Sequence, residues 1–237
     1  MKKILVPSLI ALALGSVSGL AQAQAAAPES TLSFNAGVVS DYRYRGISQS
    51  RLKPAVQGGV DYADKSGFYV GAWASSIKWI KDAGGDASME LDLYGGYKGA
   101  VGDVAYDVGF LRYQYPSNNL PVSANTNEVY GAVTYGLFTA KYSHAVSNLF
   151  GFDDSKNSYY VDLSASFDLG EGFSLVPHVG YQSVKNNSTW SYTDYSVTLG
   201  KDLGNGLSAT AALVGTDADK ALYVTPADKF TGKTGVV

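Results

Sequence analysis

One stretch decides the fold: Ser40-Asp41-Tyr42-Arg43-Tyr44-Arg45-Gly46-Ile47-Ser48-Gln49-Ser50. It ends a run that begins at Leu32, in which every second residue apart from Ser40 can face an apolar medium: Leu32, Phe34, Ala36, Val38, Tyr42 and Tyr44. A period of two is typical of a β-strand with one face in an apolar environment and the other in water. Tyrosines end the apolar face and charges end the polar face, as in membrane barrels, where aromatic rings mark the headgroup level and charges line the lumen. The run therefore predicts a transmembrane β-strand.

The same alternation recurs along the chain. With 18 Tyr, 27 Gly and only 16% charged residues, the composition favours strands and turns over helices. About eleven segments are long enough to cross a membrane as tilted strands. These segments are residues 32–45, 55–64, 67–78, 88–98, 103–115, 127–135, 137–146, 158–168, 173–182, 192–201 and 207–216.

The connections between these segments alternate strictly between short and long. The short ones are tight turns that contain glycine, at residues 64–67, 99–102, 136, 168–172 and 202–206. The long ones are polar loops, at residues 46–53, 79–86, 116–126, 147–157, 183–190 and 217–232. Outer-membrane barrels have short periplasmic turns and longer outer loops. The sequence therefore predicts an all-β fold, a transmembrane antiparallel up-and-down β-barrel of about 12 strands.

The N-terminus predicts export. Met1-Lys2-Lys3 is a basic head, residues 4–20 are mostly apolar, and Ala21-Gln22-Ala23 is a small-x-small cleavage site. This pattern predicts a signal peptide over residues 1–25 and a barrel domain over residues 26–237, and it favours cleavage over an anchoring membrane helix. The net charge of −3 and the absence of a basic run argue against nucleic acid as a partner. The chain has no cysteine, so disulfides and thiolate metal sites are excluded.

Several motifs carry a family resemblance. They are Ser40-Asp41-Tyr42-x-x-Arg45-Gly46-Ile47-Ser48-Gln49, Pro54-Ala55-Val56-Gln57-Gly58-Gly59, Gly67-Phe68-Tyr69-x-Gly71-x-Trp73-Ala74-Ser75, Glu90-x-Asp92-x-Tyr94-x-Gly96-Tyr97 and Gly180-Tyr181. The chain resembles the TorF-type porin family of proteobacteria over nearly its whole mature length. The resemblance implies an outer-membrane location, a pore without an established substrate, and insertion by the barrel assembly machinery.

The inward face of the predicted barrel supplies the candidate functional residues. Comparing strand directions places a set of charged side chains in the outer half of the lumen. The set is Asp41, Arg43, Arg45, Glu90, Asp92, Arg112, Glu128, Asp162, His178 and Asp194. Acidic groups that face a few basic groups across a narrow water path would bias the choice of ions. We therefore expect a porin-like channel for passive diffusion of small hydrophilic solutes or ions.

Two other functions remain open. The same charged residues could form a salt-bridged plug, which would make the protein a non-conducting barrel with a structural or loop-binding role. A barrel lipid hydrolase would need a histidine and a serine at the outer rim, and His144 is the candidate base, but no nucleophile motif surrounds a serine. No nucleotide, phosphate or metal-binding pattern occurs, so we expect no enzyme activity, no cofactor and no metal.

The C-terminus carries one further expectation. The rhythm of turns and loops places the start of a twelfth strand after Gly232, at Lys233-Thr234-Gly235-Val236-Val237. Bacterial barrels have even strand numbers and no free edge. By resemblance, family members continue with an alternating strand that ends in an aromatic residue. We therefore expect the native protein to continue for roughly ten residues.

Overall fold

The alternating segments form strands of one meandering sheet in the computed structural model, which describes residues 30–237. The predicted signal peptide and the first residues of the predicted barrel domain lie outside the described residues. The strands are β1 (Ser30–Val39), β2 (Arg43–Tyr44), β3 (Ile47–Ser48), β4 (Ala55–Asp64), β5 (Phe68–Ser76), β6 (Met89–Val101), β7 (Val104–Gln114), β8 (Thr126–Tyr135), β9 (Phe138–Ala145), β10 (Tyr159–Ala165), β11 (Phe167–Gly170), β12 (Phe173–Ser183), β13 (Tyr192–Gly204), β14 (Leu207–Thr216) and β15 (Gly235–Val236).

The strands pair almost entirely with their neighbours in sequence. Thirteen of them form a sheet in the order β1-β4-β5-β6-β7-β8-β9-β10-β12-β13-β14-β15, with β11 also paired to β12, and every pairing is antiparallel. Helix is limited to α1 (Trp79–Asp82) and a 3₁₀ turn (Ser188–Trp190) within residues 30–237. The all-β antiparallel prediction is confirmed. In the part of the chain described, no helix is long and apolar enough to cross a membrane.

The tight turns adopt the backbone that their residues favour. Glu171-Gly172 connects β11 to β12, and Asn205-Gly206 connects β13 to β14. Both residues of each pair have positive φ, at 51° and 77° in Glu171-Gly172 and at 54° and 79° in Asn205-Gly206. This is the geometry of the two-residue hairpin turns whose twist matches that of the flanking strands.

The sheet is not closed into a barrel, which corrects the prediction of a closed structure. Within residues 30–237, β1 pairs only with β4. At the other end of the sheet, β14 pairs with the short β15 only through Leu213↔Val236 and Val214↔Gly235. Within residues 30–237, the outer side of β1 therefore has no strand partner, and the outer side of β14 is paired with a strand only at Leu213 and Val214. The side chains at the start of β1 are accordingly exposed on both faces.

The first predicted strand is also corrected, because β1 ends at Val39 and the chain then leaves the sheet. Residues 41–50, here called the inner hairpin, contain β2 and β3, which pair through Arg43↔Ser48 and Tyr44↔Ile47. The turn between them is Arg45-Gly46, with φ of 45° and 79°. The charged residues of this stretch therefore belong to a separate hairpin and not to a sheet strand.

The sheet curves around the inner hairpin. This follows from the contacts of the hairpin, which reach Glu90 on β6, Glu128 on β8 and Gln182 on β12. The backbone of Gly46 also lies against Asp194 on β13 and against β14. We call the face of the sheet that surrounds the hairpin, together with the hairpin itself, the interior.

Candidate functional site

The inner hairpin is built around the Asp41 carboxylate. Ser48 Oγ and Ser50 Oγ both donate hydrogen bonds to Asp41 Oδ1, the latter at 3.0 Å. Arg43 Nε donates to the other carboxylate oxygen. The Arg43 guanidinium also donates to the carbonyls of Gly46 at 3.1 Å and Thr231 at 2.9 Å. Asp41 and Arg43 therefore fold the hairpin and fasten it to the C-terminal part of the described chain.

Arg45, in the turn of the inner hairpin, projects into the centre of the interior. Its guanidinium donates to both oxygens of Glu128, at 3.0 and 2.8 Å, and to Gln182 Oε1 at 2.6 Å. It also lies over the rings of Tyr160 and Tyr44, at 4.3 and 4.8 Å from their centroids. Burial disfavours its charge, but the Glu128 carboxylate raises the pKa of Arg45 well above its usual value. Arg45 therefore stays charged and links β8 to β12.

A second polar cluster lies on β10, β12 and β13. His178 Nε2 is 2.6 Å from Asp162 Oδ2, and His178 Nδ1 is 3.7 Å from Asp194 Oδ1. The Tyr160 hydroxyl donates to Asp194 at 2.9 Å and lies 3.1 Å from His178 Nε2. A side chain at Gly180 would overlap Tyr160, because an added Cβ would lie 1.9 Å from its hydroxyl oxygen. Glycine at this position therefore allows Tyr160 to reach its partners.

Tyrosine hydroxyls are the common partners of the interior carboxylates. A phenol donates to a carboxylate in each of five pairs, with oxygen–oxygen distances from 2.5 to 3.2 Å. The pairs are Tyr42–Glu90, Tyr69–Asp107, Tyr94–Asp61, Tyr113–Glu128 and Tyr160–Asp194. Hydrogen bonds to charged groups are stronger than those between neutral groups, and each buried carboxylate would be costly without one. These tyrosines therefore stabilise the charged interior while their rings fill it.

All but one of the predicted lumen residues lie in the interior. Asp41, Arg43 and Arg45 reach it through the inner hairpin. The residues that reach it from sheet strands are Glu90, Asp92, Glu128, Asp162, His178 and Asp194. The exception is Arg112, which shares the exposed face with Val108 and Phe110 and donates hydrogen bonds to Gln114 and Asn127.

Two assignments of tyrosines also change. Tyr42 and Tyr44 are expected from the alternation on the apolar side of the first strand, but both belong to the interior. Tyr113 and Tyr160 are also interior partners of charged groups. The sequence carries a signal for Tyr160, because Asp162 lies two residues away on the same face of the strand, but none for Tyr113, whose in-phase neighbours are Leu111 and Tyr115.

His144 lies outside the interior, on the exposed face. Its Nδ1 is 3.0 Å from the Tyr142 hydroxyl, and its Nε2 is 3.2 Å from Asn157 Oδ1. The nearby Ser147 instead donates to a backbone carbonyl and accepts from a backbone N–H. The described contacts of His144 therefore include an amide partner but no serine. Among residues 30–237, no group of three or more His, Cys, Asp or Glu side chains has the arrangement of a metal site.

Comparison with known protein families shows to which family the chain belongs. A family described as a bacterial protein of unknown function, Gcw_chp, matches residues 22–237. The chain belongs to the Gcw_chp family. The match includes the inner hairpin and every strand of the sheet, so the interior described above lies wholly within the family region. No curated protein matches the chain.

Proposed function

We propose that this chain is an outer-membrane protein that passes small hydrophilic solutes or ions through its interior, with the inner hairpin as the constriction. We propose that it is a porin of the TorF type, the family that its motifs resemble. It also includes export by the predicted signal peptide and insertion by the barrel assembly machinery. We propose no catalytic role and no cofactor.

The observation that carries the proposal is the reversed distribution of polar and apolar side chains. The interior holds charged side chains with almost no exposure, including Glu90, Asp92, Asp107 and Glu128. The opposite face exposes large apolar side chains along almost every strand of the sheet. Examples are Phe34 on β1, Val70 on β5, Val133 on β8, Leu163 on β10, Val197 on β13 and Leu213 on β14. Exposed apolar surface of this extent is unusual for a monomeric soluble protein, whereas lipid would cover it favourably.

Aromatic side chains on the exposed face lie near both ends of the strands. Near the tight turns they include Phe68, whose ring centroid is 5.0 Å from that of Tyr97. Near the long loops, Tyr159 lies 5.8 Å from Tyr142 and 6.3 Å from Tyr181, centroid to centroid. Rings at both ends of an apolar band are the pattern of the two interfaces of a membrane barrel. This supports an orientation with the strands crossing the bilayer.

A second candidate function is a non-conducting membrane protein. The specific observation that favours it is the ion pair of Arg45 and Glu128, whose side chains are 6% and 1% exposed and which joins the inner hairpin to β8. An interior bridged in this way could serve structure alone. The two candidates share the membrane location and differ only in whether ions cross.

Single-channel recording in planar bilayers tests the proposal. The purified full chain should give discrete conductance steps with a preference for cations, because acidic side chains outnumber basic ones in the interior. Asp162→Asn should reduce that preference, and the effect should shrink in high salt because screening shortens the reach of a charge. Arg51→Gln is the control, because this side chain is exposed and pairs with Asp82 outside the interior. Outer-membrane fractionation without any conductance would favour the second candidate, and recovery in the soluble periplasmic fraction would exclude both.

A further inference from the structure

Asp92 is the exception among the interior carboxylates. Its side chain is completely buried on β6, and neither of its oxygens accepts a hydrogen bond. Each of the five tyrosine–carboxylate pairs serves another acid, and Asp162 has His178. An unpaired buried carboxylate costs several kcal/mol, so the position requires a compensating group.

The residues around Asp92 do not supply a positive charge that would compensate its carboxylate. Glu90, two residues away on the same face of β6, is also buried and accepts hydrogen bonds from Tyr42, at 2.6 Å, and from Tyr115. These donors are neutral. The guanidinium of Arg45, at the centre of the interior, is engaged by Glu128 and Gln182. Two adjacent carboxylates therefore lie in the interior with hydrogen-bond donors for only one of them.

Three kinds of group could compensate Asp92, and they differ in what they satisfy. A water molecule would donate hydrogen bonds but would leave the charge. A proton shared with Glu90 would remove one charge but would satisfy only one of the two Asp92 oxygens. A cation bound by both oxygens would satisfy both and would also offset the charge, as carboxylates do when they bind hard cations.

We propose that Asp92, together with Glu90, binds a small monovalent cation such as Na⁺ inside the protein. The site has two carboxylates and three nearby tyrosines whose hydroxyls are neutral oxygen groups. Tyr42 and Tyr115 donate to Glu90, and Tyr113 lies opposite Asp92 in the pairing of β6 with β7. A divalent cation prefers a larger set of charged oxygen ligands. Residues 30–237 contain no such three-residue set, which favours a single charge. This inference goes beyond the proposed function, since the cation would bind whether or not the interior conducts.

The test measures thermal stability of the purified full chain in detergent, in NaCl, KCl or choline chloride at equal ionic strength. A ligand that binds only the folded state raises the melting temperature, and the rise grows with the logarithm of the ligand concentration above the dissociation constant. We expect a midpoint about 2–4 °C higher in NaCl than in choline chloride, which is too large to enter the site. Asp92→Asn should abolish this difference. Asp107→Asn, which changes another buried interior acid that has its own donor Tyr69, should retain it.

Three results would overturn the inference. The first is that the wild type has the same melting temperature in all three salts. The second is that the difference in melting temperature between NaCl and choline chloride persists in Asp92→Asn. The third is that mild acid raises the melting temperature of the wild type in choline chloride to the value seen in NaCl. The last would assign a proton to the pair. If Asp92→Asn does not fold, the width of the sodium NMR line measured with the wild type tests the site instead. Binding of Na⁺ should broaden this line, and added K⁺ should reverse the broadening. No broadening beyond that of detergent alone would also reject the site. None of these readouts depends on conductance, so the proposed function can fail or stand separately.

Discussion

Replacing Arg45 with methionine tests whether the charged interior is held together as its contacts indicate. Arg45→Met keeps much of the length and apolar character of the side chain but removes its charge and its five donors. Glu128, with a side chain 1% exposed, would then keep only the Tyr113 hydroxyl at 3.2 Å as a hydrogen-bond partner. Leaving one partner of a buried ion pair uncompensated costs about 3–5 kcal/mol. We expect a loss of stability of this size.

The second half of the experiment restores the balance of charge. In the double variant Arg45→Met with Glu128→Gln, the unpaired carboxylate is gone, and the stability should return to within about 1–2 kcal/mol of the wild type. Denaturant unfolding of the protein in lipid vesicles, followed by tryptophan fluorescence, measures each variant. Arg51→Met is the matched control. Its partner Asp82 ends the short helix α1, and the Arg51 side chain is 41% exposed, so the unfolding midpoint of this variant should not move.

Two outcomes would refute the reasoning. A cost below about 1 kcal/mol for Arg45→Met would mean that Glu128 is solvated or protonated and that the pair does not join the strands. A double variant as unstable as the sum of the two single variants would mean that the two side chains act independently.

Three further predictions concern the turn, the second cluster and the exposed face. Gly46→Ala should destabilise the protein by about 1–3 kcal/mol, since the residue has φ of 79° and an added Cβ would lie 2.7 Å from the Cβ of Asp194; an unchanged unfolding midpoint would contradict this. Tyr160→Phe keeps the ring over Arg45 but leaves Asp194 without its phenol donor, which should cost about 1–3 kcal/mol in the same assay; a silent change would mean that other groups satisfy this carboxylate. Val197→Arg should reduce the stability of the membrane-inserted form by about 2–4 kcal/mol relative to Val197→Ala, whereas equal stability of the two variants would argue against lipid contact at this face.

The strand pattern could be predicted from the sequence because it depends on local chemistry. Alternation with period two, interrupted by glycine turns, places strands such as β13 (Tyr192–Gly204) and β14 (Leu207–Thr216) close to their observed bounds. The same alternation places Glu90, Asp92 and Asp194 on the buried face. In these strands most residues of one face are apolar and most of the other are polar or small, so the phase is clear.

The phase is misread where the interior itself is aromatic. On β7, the neighbours of Arg112 are Leu111 and Tyr113, which are apolar enough to suggest the exposed face but are buried in the interior. The alternation therefore gives no preference at this position, and the structure places Arg112 outside. The inner hairpin has the same character, since Tyr42 and Tyr44 look like membrane-facing rings. Only contacts with distant strands reveal that they fill the interior, and such contacts cannot be read from local sequence.

Tyrosines lie both on the exposed face of the sheet and in the interior, which is why the two faces look alike in the sequence. A phenol combines an apolar ring with one hydrogen-bond donor, so it suits either a lipid interface or a carboxylate-rich interior. On the exposed face, Tyr142 and Tyr159 stack on each other. In the interior, Tyr69 and Tyr94 donate to the carboxylates of Asp107 and Asp61 respectively. Phenol donors allow an interior to keep acidic groups charged with few basic residues. In such an interior, an acid without a donor, such as Asp92, would attract a cation from solution.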